Sequence, residues 1–381
     1  MMLVGGIANT FPVFLPALLD EFGGSRASAA SAVSIFWLGS AVFGPIAGRW
    51  IDRVDPRLVI SSGLASAAVG TLTAAVAPSL GAFALLLGVA GGIGAGLTGF
   101  VPQAAVIAET YQARRGFATG IAFSGSMVGY ALAQPAHWTI EAVGWRWTLA
   151  GWSVALLAVI PFVVRYYPRR LGVRAAATAE VAPGGVGHVV RSVPFWALAV
   201  VFTIPPFAGY LLTLHHSLYF PVRGFTASEA ATLLLVGGVL STIGRALAGL
   251  VADRIGAPAA GIASWILSLT GAAALVAFEM WRVPWLVYGY LVFVFLPMGS
   301  RATIVSLLAL RIAPPGRYGS IFGLLAIGNS LGSALGPFLS GTIYDLTGSY
   351  LAIFVTATSV IVVATMSLLV FLRTAPRPPA A

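Results

Sequence analysis

Two arginines and a pair of histidines are the residues best equipped for chemistry in this chain of 381 residues. Arg245 and Arg301 each lie inside an apolar run, and His215 and His216 stand near the end of another. A guanidinium can hold a carboxylate through two parallel hydrogen bonds, so a buried arginine is a natural anion anchor. An imidazole changes charge near neutral pH and can bond an acid or relay a proton. Other chemistries lack their parts. The chain has no cysteine, which excludes disulfides, thiol catalysis and thiolate metal sites. The four histidines (His137, His188, His215 and His216) lack the companions of a metal or hydrolytic site. No catalytic residue, metal or cofactor is therefore expected, and the chain is not read as an enzyme.

The elements that must position these residues are membrane helices. Of the residues 59% are hydrophobic and only 8% charged, whereas a soluble domain needs about 25% charged residues to cover its surface. Apolar runs near the length needed to cross a bilayer recur throughout. They are read as twelve spans: 3–19, 29–51, 58–77, 80–108, 117–140, 147–164, 195–219, 230–252, 259–278, 284–312, 320–344 and 352–372. The first opens almost at the initiator methionine, with no polar segment before it and no cleavage site after it. A removable signal peptide is not expected there, and a start site placed too far downstream is.

The net charge of +10 comes entirely from arginine and is spread along the chain, so nucleic acid is not an expected partner. With the N-terminus inside, most arginines fall on the cytoplasmic side, among them Arg49, Arg53, Arg57, Arg114, Arg115, Arg254, Arg311 and Arg317. Only Arg26, Arg146, Arg223 and Arg282 fall outside. That is the positive-inside bias. It fixes the orientation, with both termini cytoplasmic; the expectation is a multi-pass protein of a bacterial-type inner (plasma) membrane, in contact with membrane lipid and monomeric.

Two arginines remain within spans. Arg245 lies eight residues before Asp253, about 12 Å of helix rise, and Arg301 lies ten before Arg311. A charge at mid-span costs about 2.5–3.5 kcal/mol on insertion scales, so it usually faces a cavity or a partner. No Asp or Glu occurs within spans eight or ten. A bound anion would neutralise both, while pairing with helix carbonyls or snorkelling is the plainer alternative. For His215 and His216 the alternatives are substrate or proton contact and an interfacial position. Glu109 is read as an ion partner of Arg114 and Arg115, Glu279 as an interface charge beside Arg282, and His137 with Glu141 as a local pair. The glycines Gly88, Gly91, Gly92, Gly94, Gly96 and Gly99 imitate a dinucleotide loop, but within a span they predict close helix packing.

The chain also repeats itself. Gly48-Arg49-Trp50-Ile51-Asp52-Arg53 follows the second span and Gly249-Leu250-Val251-Ala252-Asp253-Arg254 the eighth. A polar stretch over 168–193 with the run APGGVG reads as a flexible linker. The expected division is a six-helix bundle over 1–167, the linker 168–193, a second bundle over 194–373 and a disordered tail 374–381. Paired halves of this kind surround a midplane site in transporters.

The two G-x-x-x-D-R signals resemble the signature of the major facilitator superfamily, and the resemblance covers essentially the whole chain. Gly144-Trp145-Arg146-Trp147, Gly328 to Pro337, and Asp345 to Tyr350 support it. Finer features are similar to the monocarboxylate-transporter and oxalate:formate-antiporter branch. These are Phe14-Leu15-Pro16 with Glu21-Phe22-Gly23, Arg114-Arg115-Gly116-Phe117-Ala118, and Pro194-Phe195-Trp196 after Arg191. Arg245 matches the branch's carboxylate-binding arginine, and His215 a histidine common in bacterial members. The resemblance implies an all-α membrane protein of twelve transmembrane helices in two pseudo-symmetric six-helix bundles. It implies secondary transport of small organic anions, most of all monocarboxylates, by alternating access with proton coupling as the default. Arg245, His215, Arg301, Phe100, Gln103 and Asn9 would contact substrate, and Gly48, Asp52, Arg53, Gly249, Asp253 and Arg254 would form the gating motif. Ser241 stands where the branch often carries an acid, and no lysine is present, so coupling and substrate stay open. A drug or sugar efflux carrier of the same superfamily is one alternative, and a membrane receptor or sensor with a transporter-like fold is another.

Overall fold

A computed structural model describes residues 2–51, 54–100, 102, 103, 106, 123–125, 129–168, 186–314 and 318–376. Its spans begin where local chemistry lets a helix start. Asp55 accepts a hydrogen bond from the Arg57 amide at 2.9 Å and opens α4 (Pro56–Ala75). Ser79 accepts from the Ala82 amide at 3.2 Å and opens α5 (Leu80–Thr98). Thr226 and Glu229 bond each other's backbone amides reciprocally ahead of α8 (Ala227–Ile255). Each cap satisfies amides that the first helical turn leaves without partners.

Among the described residues, ten stretches are long and apolar enough to cross a membrane. An eleventh is a pair, α1 (Met2–Asn9) and α2 (Phe11–Phe22), bent by 49°. The longest stretch, Phe123–Tyr166, contains α6 (Ala133–Tyr166), and within it Gly144 takes φ 83° and ψ 160°. Only glycine adopts that conformation without strain, and the break makes two spans of one. The count is then the expected twelve. Large apolar side chains such as Val76 and Trp147 stand exposed around them, as a surface solvated by lipid requires.

The chain packs into two compact units. One comprises Met1–Val173, Thr213–Val239 and Ala334–Tyr350, the other Arg174–Leu212, Leu240–Ser333 and Leu351–Ala381. The expected linker falls largely outside the described residues, and its last part holds a short helix, Val186–Val190. Glu109, Arg114 and Arg115 also lie outside them, as do Asp52, Arg53 and most of the tail.

In the first unit, α5 is the pivot, and its glycines let α3 (Arg26–Ile51) and α4 approach its backbone. A Cβ at Gly92 would come within 2.6 Å of the Phe36 carbonyl oxygen. One at Gly94 would meet Ala67 and Gly63 in α4, and one at Gly96 would meet Phe43 in α3. The glycine run is therefore a packing device, as its spacing predicts.

The second unit is built from most of α7 (Val193–Thr213) and of α8, from α9 (Ala257–Trp281), and from α10 (Trp285–Tyr290). It also holds a π-helical turn Leu291–Phe295, α11 (Leu296–Ala309), the first part of α12 (Tyr318–Thr347) and α13 (Tyr350–Thr374). Its tightest crossing is between α8 and α11. A Cβ at Gly244 would collide with the Leu296 carbonyl, and one at Gly299 with the Ser241 carbonyl. The Ser241 hydroxyl donates to the Phe295 carbonyl at 2.8 Å. The π turn frees one more carbonyl per turn than an α-helix, and such turns recur at functional positions.

Candidate functional site

That crossing carries both intramembrane arginines. Arg245 follows Gly244 directly on α8, and Arg301 stands two residues after Gly299 on α11. Arg245 is half-buried, and its Nε is enclosed by protein. Ser241, one turn before it, occupies the position where an acid might have paired with it, and spends its hydroxyl on Phe295 instead.

Arg301 is 8% exposed. Its guanidinium carbon lies 3.9 Å from the centre of the Trp265 ring on α9, and one terminal nitrogen donates to the Ser268 hydroxyl. Ser264 and Ser300 share a 3.0 Å hydrogen bond beside it. Arginine suits this wall because its guanidinium is weakly hydrated and stacks on aromatic faces. The cavity next to it, bounded by Trp265, Ser264 and Leu368, measures about 10 Å³, the space of about one water molecule. The Arg301 side chain is thus housed between helices of its own unit, and Trp265 was not foreseen from the sequence.

His215 belongs to the first unit and has a different setting. The α7 helix unwinds at Leu214–His215, and a short helix, His216–Tyr219, resumes the span. His215 and His216 are 3% and 1% exposed. The His215 ring centre lies 6.0 Å from that of Tyr344 and 6.1 Å from that of Tyr350. Both of its nitrogens are buried without a hydrogen-bond partner among the described residues.

Arg26 ties this cluster together. Its guanidinium lies 3.5 Å from the Tyr344 ring centre and donates to the Tyr350 hydroxyl at 2.6 Å. The Asp345 carboxylate accepts from the backbone amides of Arg26 at 3.0 Å and Ala27 at 2.9 Å. A carboxylate near the C-terminal end of α12 therefore caps the N-terminus of α3, from 318 or more residues away in sequence. Gly341 packs directly on Ala27, where a Cβ would collide. In the same unit, Gln134 of α6 bonds Ser228 at 2.9 Å and Thr232 at 3.0 Å on α8.

The remaining candidates scatter. Asn9 is 5% exposed and ends α1 at the 49° bend, where the span is discontinuous. Broken helices are a common feature of transporter binding sites. Phe100 is partly exposed and packs edge-on to Phe123 at 4.8 Å. Gln103 is engaged by Tyr167, whose hydroxyl donates to its Oε1 at 2.9 Å, and its own amide reaches the Thr98 carbonyl at 3.4 Å. Tyr167 follows the last residue of α6, so Gln103 is held at the end of the helices and not in their middle. Burial pushes the Tyr167 phenol up to about 12, keeping it a neutral donor. Of the gating motif, Gly48 is half-buried near the end of α3 and Arg254 is exposed in the last turn of α8. Asp52 and Arg53 lie outside the described residues, as do the side chains of Gly249 and Asp253.

The local pairs are present. His137 lies 3.4 Å from Glu141, and Arg282 3.1 Å from Glu279. A further pair joins two sequence motifs that composition alone could not link. The Glu21 carboxylate accepts from Arg146 at 2.5 Å and from the Trp145 indole at 2.7 Å. Arg146 also caps the end of α4 through the Ala75 carbonyl at 2.7 Å.

Comparisons with known proteins agree with this architecture. The family model described as the Major Facilitator Superfamily matches residues 1–326. Monocarboxylate transporter 13 of Rattus norvegicus is 27% identical over 361 residues, covering 93% of this chain and 82% of that protein. The probable nitrate/nitrite transporter NarK2 of Mycobacterium tuberculosis is 28% identical over 335 residues, covering 83% and 78%. The crystal structure of a bacterial homolog of the human lysosomal transporter Spinster, inward-facing and unoccupied, superposes with a TM-score of 0.75. It spans 100% of this chain and 97% of its own at 18% identity, a likeness of fold. The chain belongs to the major facilitator superfamily and is a polytopic membrane transporter.

Proposed function

We propose that this transporter carries small organic anions, foremost monocarboxylates, by alternating access, with proton coupling as the default mode. The supporting observation is the pair of guanidinium groups at the closest helix crossing of the second unit. Arg245 and Arg301 flank the Gly244 and Gly299 contact on spans whose interiors carry no acidic residue. Cations within spans whose interiors hold no acid favour an anionic ligand. Arg245 is the anchor in this reading, and Arg301, over the Trp265 ring and bonded to Ser268, assists. Asn9 at the bend of the first span and Phe100 would contact the rest of the molecule. Gln103, bonded to Tyr167, would act only after that contact opens. The relatives fit an anion reading at the coarse level, being named for monocarboxylates in one case and for nitrate and nitrite in another.

Proton coupling would run through His215, because its ring shares the Tyr344 and Tyr350 surfaces with Arg26. A proton on His215 would place a second cation in that group beside one carboxylate. Uptake of labelled C2–C6 carboxylates and of nitrate into proteoliposomes, with and without a pH gradient, tests the whole reading. Carboxylate uptake accelerated by inward acid, with a flattened pH profile in His215→Gln, is the expected result. Uptake of neutral sugars or cationic drugs with no carboxylate flux would replace it with the efflux-carrier reading.

A further inference from the structure

The Arg191 to Trp196 motif is not used by transport as described above, yet it shapes a groove of about 350 Å³. The first turns of α7 form one wall with Val193, Trp196 and Val200, and the last turns of α13 form the other with Ser367 and Val370. The Ser367 hydroxyl donates to the Ala197 carbonyl at 3.0 Å and stitches the two helices together along the floor. Since α7 starts at Val193 and α13 ends at Thr374, the groove lies where two spans reach the membrane surface.

Charge distinguishes this groove from an ordinary lipid-facing crevice. Arg191 lines it, is exposed, and has no hydrogen-bond or ion-pair partner among the described residues. Arg311 also lies near the end of α13 and is occupied. It donates to the Pro376 carbonyl at 2.8 Å and lies 5.7 Å from the Phe371 ring centre. Arg373, one helical turn past Val370, is exposed and adds a second cation on that side. Trp196 is 60% exposed beside Arg191, and tryptophan favours the headgroup level, where its ring is apolar and its N–H is wet.

We propose that this groove binds one anionic phospholipid. Its phosphodiester would meet Arg191, its glycerol backbone would lie along Trp196, and an acyl chain would run between Val200 and Val370. Basic pockets between spans take anionic headgroups for this electrostatic reason. A zwitterionic lipid brings a quaternary ammonium that the two arginines repel. Free phosphate makes no use of the valine walls.

The test is native mass spectrometry of the full chain released from detergent, after addition of dioleoyl phosphatidylglycerol, dioleoyl phosphatidylcholine or sodium phosphate. One phosphatidylglycerol should stay bound to wild type and to Arg191→Lys, and Arg191→Gln should lose about tenfold or more in affinity. Arg165→Gln, which removes a surface arginine elsewhere, should bind as wild type does. Trp196→Ala should weaken retention with all arginines in place, and it carries the test if Arg191→Gln does not fold. Equal retention of phosphatidylcholine, displacement by phosphate, or unchanged affinity in Arg191→Gln and Trp196→Ala would each overturn the proposal.

Discussion

Arg245 and Arg301 share a charge and a depth along the sequence, and their surroundings give them different work. Arg301 lies over the Trp265 ring with Ser268 as an acceptor, an arrangement that offsets part of the cost of burying a cation. Arg245 stands next to the closest helix crossing of its unit, and Ser241 one turn away supplies no charge. With Arg245 as the anchor proposed above, its loss should cost substrate affinity. Arg245→Ala removes a charge-assisted bond worth about 1.5–3 kcal/mol, which is roughly ten- to a hundredfold in binding. Arg245→Lys keeps the charge but not the planar fork, and should bind nearly as poorly. The check is carboxylate-induced thermal stabilisation of purified wild type and both variants. Equal shifts in all three would remove Arg245 from the site and make Arg301 the next to test. The sequence revealed both cations, because charge in an apolar run is conspicuous. Trp265 was silent, because one more aromatic in a spanning helix carries no sign of its neighbour.

At the scale of elements, legibility followed periodicity. The glycine spacing of α5 announced close packing, and the structure sets Gly92 and Gly96 against α3 and Gly94 against α4. The unwinding at His215 left no such mark, and the bend at Asn9 and the π turn over Leu291–Phe295 left only Pro12 and Pro297 just beyond them. Each depends on what neighbouring helices supply to freed backbone groups, which a single span cannot encode. Asp345 was the exception that could have been caught. A carboxylate in the last turns of α12 opposes that helix's own dipole, so its partner had to be elsewhere. That partner is the start of α3, through the amides of Arg26 and Ala27. Asp345→Asn keeps an acceptor oxygen but loses the charge and one of the two matched acceptors. It is expected to loosen the start of α3, seen as faster amide exchange over residues 26–30 at unchanged expression. Exchange there as slow as in wild type would mean that the cap contributes nothing to holding this end.

At the scale of the whole molecule, a transporter must open one end while the other stays shut, and the first unit contains two joints between parts of the chain far apart in sequence. One is Asp345 and Tyr350 with Arg26, and the other is Gln134 with Ser228 and Thr232. Both include a few polar bonds of about 1–3 kcal/mol net each, strengths compatible with contacts that break and re-form if these joints open during the cycle. A covalent tie across the second joint should therefore stop transport without harming the fold. The natural absence of cysteine makes the experiment clean, since the only thiols would be those introduced at Gln134→Cys and Ser228→Cys. Joined by a short bifunctional methanethiosulfonate reagent in proteoliposomes, the double variant is expected to lose carboxylate uptake and to regain it with reductant. Each single-cysteine variant treated in the same way should transport as before. A fully cross-linked protein that still turns over at the untreated rate would show that this joint stays closed throughout the cycle, and that access must alternate by movement elsewhere.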